Sequence, residues 1–145
     1  WGKPTPVNPR FFKHPKRDQA LTALAGPFSN LVLALVLAIP VKYMPIGFWP
    51  WFRYFLETVL DMSILLFIFN MLPFPPLDGS KFIGIFIPKR LEFSYQEYLR
   101  NGVIYFFLFI LFDSFILSRI FGYSLLGEVM GFVFAFIKSA IFLGT

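Results

Sequence analysis

Four stretches of this chain, about residues 21–44, 52–72, 102–121 and 125–143, are each close to twenty residues long and almost wholly apolar. At about 1.5 Å of rise per residue, roughly twenty helical residues cover the ~30 Å hydrocarbon core of a bilayer. Composition agrees: 57% of the 145 residues are hydrophobic and only 14% are charged. That leaves too little polar surface for a water-soluble domain of this size. The expected fold is therefore all-α and multi-pass, with about four transmembrane helices in a lipid bilayer.

Composition also removes several chemistries. The chain has no cysteine, which excludes disulfides, thiolate metal sites and a cysteine nucleophile. Its single histidine, His14, cannot make a multi-histidine zinc site. The 13 basic residues are scattered between apolar runs and read as topology signals, with no nucleic acid as partner. Residues 1–19 carry Lys3, Arg10, Lys13, Lys16 and Arg17, and residues 74–100 carry Lys81, Lys89, Arg90 and Arg100. The other connections hold only Lys42, Arg53 and Arg119, so nine basic residues stand against three. The excess places both heavy segments on the cytoplasmic side. The first residue is Trp1 rather than methionine, and the expectation is a piece of a longer protein.

Along the chain, Pro4, Pro6 and Pro9 make residues 1–19 an extended, proline-rich loop or re-entrant segment. The first apolar stretch opens with Ala25-Gly26-Pro27-Phe28-Ser29-Asn30. Gly26 gives another helix close approach, Pro27 frees a carbonyl, and Asn30 needs a hydrogen-bond partner in an apolar setting. In the second stretch Glu57 lies one turn from Arg53, and Asp61 sits roughly 14 Å from the start of the segment. An acid at that depth is either functional or hydrogen-bonded inside a bundle. Asp113, in the third stretch, has no partner that the sequence identifies. Gly127 and Gly131 in the fourth form a possible close-packing face.

The second stretch ends in Asn70-Met71-Leu72-Pro73-Phe74-Pro75-Pro76-Leu77-Asp78-Gly79. Three prolines stop the helix, and Gly79 permits a tight turn just after Asp78. Two readings stay open from spacing: a proline-capped helix end with a solvated Asp-Gly turn, or a carboxylate held for chemistry such as metal ligation.

Asn70-x-x-Pro73-x-Pro75-x-Leu77-Asp78-Gly79 is similar to the signature of the site-2 protease family of intramembrane zinc metalloproteases. Ala25-Gly26-Pro27-x-x-Asn30 resembles that family's other landmark, and the Lys-Pro-x-Pro-Val-Asn-Pro run resembles the approach to it in compact, bacterial-type members. The matches run from Trp1 to about Arg90, and the later segments match only as generic membrane helices. The resemblance implies that Asp78 is a third zinc ligand and that Asn70 hydrogen-bonds substrate backbone. It implies that the proline segment helps hold an unwound membrane-protein substrate extended. The 145 residues would be the C-terminal part of one membrane-embedded protease domain, in a bacterial cell membrane.

One departure is large. The family's His-Glu-x-x-His motif, which supplies two zinc ligands and the water-activating glutamate, is absent from these residues. Neither Glu57 nor Glu92 has flanking histidines. The zinc site is thus incomplete in this chain, which alone should be inactive, with no catalytic residue of its own. Two other classes compete: a non-catalytic scaffold that grips transmembrane segments, and a transporter using Asp61 and Asp113 as an ion path. Substrate and oligomeric state do not follow from the residues.

Overall fold

A computed structural model describes residues 13–45, 47 and 49–142. Lys3 to Pro9, the proline-rich run, lies outside them. All regular structure among the described residues is helical. The first helix, α1, covers Pro15–Tyr43. It starts earlier than the expected loop over 1–19 allows. Proline at the first helical position loses no intrahelical hydrogen bond, and the Asp18 carboxylate accepts from the His14 backbone N–H at 3.1 Å. A carboxylate in the first turn also suits the helix dipole.

The second helix, α2, covers Pro50–Asn70 and stops where the prolines begin. A short helix, α3 (Asp78–Ile83), follows, and two 3-10 turns lead to α4 at Glu92–Leu111. The chain continues as a π-helix over Phe112–Phe121, which ends at Gly122 with φ +76°, where the missing side chain permits the left-handed cap. The last helix, α5, is Leu125–Ile141. Residues 74–100 are thus largely helical, and the third apolar helix begins ten residues before the expected 102. Polar composition had argued for a loop there; tertiary contacts described below hold those turns helical.

The core lies where α1, α2 and α5 meet. Small residues of α1 (Ala20, Ala23, Ala34, Ala38, with Val41) are buried, at spacings of three, eleven, four and three that keep them near one helical face. Leu56, Leu60, Ile64 and Ile68 of α2 pack against Ala34, Ala38 and Val41, with Val133, Phe134 and Ile137 of α5 alongside. Small side chains on α1 let the helices approach closely without a strong hydrophobic drive between them.

Two helical stretches, Lys16–Tyr43 and Lys89–Phe121, are long and apolar enough to cross a membrane. Among the described residues only these two meet that measure, against the four expected: α2 carries Arg53, Glu57 and Asp61 within its 21 residues, and α5 has only 17 residues. Lys42, in the last turn of α1, donates to the Phe142 carbonyl at 3.5 Å, so the ends of α1 and α5 lie together.

That end holds a polar cluster. Lys138 of α5 donates to both oxygens of Asp61 at 2.7 and 2.9 Å and lies 5.4 Å from the centroid of the Phe134 ring. Arg53 bridges Glu57 Oε1 and the Met44 carbonyl, both at 2.9 Å. At the other end of α5, buried Asp113 accepts from Ser124 Oγ at 2.5 Å and from the Leu125 N–H at 2.7 Å. Thirteen residues of helix, roughly 20 Å at the α-helical rise, separate Leu125 from Lys138. Asp61 and Asp113 therefore serve opposite ends of α5. Gly127 meets Ser124, and nothing lies within 4 Å of a side chain placed at Gly131, so the small-residue face of α5 packs on no helix among the described residues.

Candidate functional site

Asp78 is the first residue of α3, with Leu77 extended before it (φ −69°, ψ 154°). The expected tight Leu77-Asp78-Gly79 turn is instead a helix start. Gly79 does not have positive φ, since the glycines that do are Gly47 and Gly122. Its need is steric. A Cβ at Gly79 would stand 2.3 Å from the Met71 carbonyl oxygen and 2.5 Å from that of Leu72. The backbone that leaves α2 thus lies directly on the first turn of α3, and only glycine fits between.

α1 brings the other landmark to the same place. A Cβ at Gly26 would meet Asp78 Oδ2 at 3.7 Å, so the carboxylate stands over a notch in α1. Pro27 is fully buried beside it. The Ser29 hydroxyl donates to the Gly26 carbonyl at 2.6 Å, while the carbonyl that Pro27 leaves without its ladder donor is that of Ala23. The Asn30 side-chain amide, one turn on, has no hydrogen-bond partner among the described residues.

The proline segment is clamped from α4. Pro75 is fully buried, and a Cβ at Gly102 would fall 2.0 Å from Pro75 Cβ. Pro75 and Pro76 are joined by a cis peptide bond. The Tyr98 hydroxyl donates to the Pro73 carbonyl at 2.9 Å, and the Tyr95 hydroxyl donates to that of Ser80. Ser80 itself is buried, with its Oγ donating to Leu77 at 2.6 Å. Phe74 stacks on Phe109 with ring centroids 4.6 Å apart. Tyr95, Tyr98 and Gly102 were not singled out by sequence; their only local signal is the Tyr-x-x-Tyr spacing, which sets both rings on one helix face.

Asp78 keeps 31% of its side chain exposed, and its Oδ1 pairs with Lys81 Nζ at 2.9 Å. Oδ2 is the oxygen turned to Gly26. Asn70, at the end of α2, donates through Nδ2 to the Leu66 carbonyl at 2.8 Å, so that part of its amide is committed within its own helix. A catalytic zinc takes three protein ligands and an open position. No three His, Cys, Asp or Glu side chains gather closely enough for a metal among the described residues. Asp78 alone offers one carboxylate, already facing an ammonium, so these residues by themselves do not fit a zinc ion.

Among the described residues, fold and site together define an all-helical architecture with two helices long and apolar enough to cross a membrane and one carboxylate presented over a glycine notch. Among curated proteins the chain is similar to one from Bacillus subtilis (strain 168) named "Putative zinc metalloprotease YwhC", at 35% identity over 113 residues, covering 73% of this chain and 52% of that relative. The chain thus spans about half the length of the relative it matches. No family model matches the sequence. No solved structure matches it.

Proposed function

We propose that this chain is part of an intramembrane zinc endopeptidase of the site-2 protease type, which hydrolyses peptide bonds in or near transmembrane segments of other membrane proteins. The observation that carries the reading is the approach of Asp78 Oδ2 to Gly26. Two separate motif matches, one on each side of a long sequence interval, converge on one carboxylate. The relative's name adds support for zinc and for proteolysis.

In this reading Asp78 is one zinc ligand, and the remaining ligands and the group that activates water come from outside these residues. Zinc would supply Lewis acidity and an activated water. This chain's own contribution is positional. Glycines at 79 and 102 let the α2 exit, α3 and α4 close on one another, and Tyr98 and Tyr95 hold the Pro73 and Ser80 carbonyls. Asn70 keeps an amide oxygen for the backbone N–H of an unwound substrate, whose polar groups need partners once its helix opens. The protein sits in a bacterial cell membrane, with residues 1–19 and 74–100 at the cytoplasmic face.

A non-catalytic scaffold is the second reading, favoured by the Asp78–Lys81 pair that already neutralises the carboxylate. Zinc analysis of the purified full-length protein separates the two. About one zinc per protein, with metal-dependent cleavage of a membrane-embedded substrate, is the expected result; a folded protein without zinc supports the scaffold.

A further inference from the structure

Two basic clusters far apart in sequence meet in this fold. Lys13, Lys16 and Arg17 stand at the start of α1, and Lys89 and Arg90 lie in the turn before α4. An ion pair from Lys16 Nζ to Glu92 Oε2, 2.9 Å long, ties the two helix starts together. Between them opens a cavity of about 820 Å³ lined by His14, Lys16, Arg17, Ile85, Lys89 and Glu92.

The charge there is only partly compensated: of the lining cations Lys16, Arg17 and Lys89, Lys16 alone meets a carboxylate, that of Glu92, while Lys13 and Arg90 adjoin the same two segments. Asp18 receives the His14 N–H. Arg17, Lys89 and Arg90 pair with no carboxylate among the described residues. Cations in a helix's first turn are opposed by its dipole, so helix stability does not account for Lys16 and Arg17. The place of the cavity suggests what does. It lies where the two membrane-length stretches, Lys16–Tyr43 and Lys89–Phe121, begin, which is the depth of lipid phosphates if those helices span. Phe86 and Phe93, next in sequence to Ile85 and Glu92, expose 72% and 77% of their surface. An inorganic anion has no use for such apolar neighbours, whereas a lipid does.

We infer that this cavity binds the phosphate of an anionic phospholipid, with Arg17 and Lys89 as its main contacts. The inference rests on the two helices spanning a membrane and does not depend on the protease reading.

The test uses the intact protein in neutral detergent. Short-chain phosphatidylglycerol and short-chain phosphatidylcholine are titrated below their micelle concentrations by calorimetry, and inorganic phosphate is titrated as a third ligand. The anionic lipid should bind at least tenfold more tightly than the zwitterionic one. Each surface cation contributes roughly fivefold to such binding, so R17Q/K89Q should weaken it by tenfold or more with an unchanged melting curve. R119Q, at the far end of the same long helix, should leave it unchanged. Equal binding of the two lipids, or full binding by R17Q/K89Q, overturns the site. Inorganic phosphate binding as tightly as the lipid overturns the lipid as its source. Alkaline extraction of membranes reports separately on the premise: retention supports spanning helices, and release overturns that premise.

Discussion

Gly26 of α1 and Asp78 of α3 face one another, with the Asp78 Oδ2 atom 3.7 Å from where a Gly26 side chain would begin. That distance is an ordinary van der Waals contact, so the notch tolerates one methyl but nothing branched. Gly26→Ala should fold normally, with helix propensity gaining up to about 1 kcal/mol. Gly26→Val should also insert and fold, yet cover the carboxylate. Proteolysis by the full-length protein should fall at least tenfold in the valine variant with little change in melting temperature. Equal activity in the two would mean that nothing needs to reach Oδ2 from this side.

Gly79 and Gly102 make the opposite prediction. A Cβ at either would overlap atoms that cannot easily move, the Met71 carbonyl and the Pro75 ring. Overpacking of this kind costs typically about 1–3 kcal/mol. Gly79→Ala and Gly102→Ala should each lower the thermal midpoint measured in detergent, unlike Gly26→Ala. Wild-type stability in Gly79→Ala would contradict the packing of the α2 exit on α3.

The tyrosine pair should behave as a unit. Tyr95→Phe and Tyr98→Phe each remove one hydroxyl donor to a carbonyl of the same segment, worth about 0.5–1.5 kcal/mol net apiece. Because both restrain one segment, their effects should not add. A double-mutant cycle on unfolding measures this, and strict additivity would show that the two bonds act independently.

Asp61 and Lys138 join α2 to α5 through a pair that remains about a third exposed, at 35% and 39%. Such a pair falls between a solvated surface bridge and a buried one, so breaking it should cost about 1–3 kcal/mol. Asp61→Asn should destabilise α5 docking, and the reversal Asp61→Lys with Lys138→Asp should restore part of the loss. A reversal no better than either single change would show that geometry, not charge, fixes the contact.

These residues also mark how far the sequence could be read. The meeting of Gly26 with Asp78 was not legible, because it is a contact between helices far apart in sequence; the proline stop after Asn70 was, from backbone chemistry. The start of α1 was less so, because the early prolines mask a helix whose first residue is itself a proline. The helical character of residues 78–100 was hidden by polar composition, since what holds it is the fit of Gly79 and Gly102 and the reach of two tyrosines. Partners for Asp61 and Asp113 lie on α5, and periodicity within one segment carries no record of such pairings.

The central claim is that Asp78 ligates zinc in a peptide-cleaving site. The most direct measurement is zinc stoichiometry and cleavage of a membrane-embedded substrate by the full-length protein, wild type beside Asp78→Asn. Wild-type protein should hold about one zinc per molecule and cleave in a chelator-sensitive manner. In the properly inserted variant, zinc should be lost and cleavage reduced by orders of magnitude. An Asp78→Asn protein that keeps its zinc and its activity would contradict it.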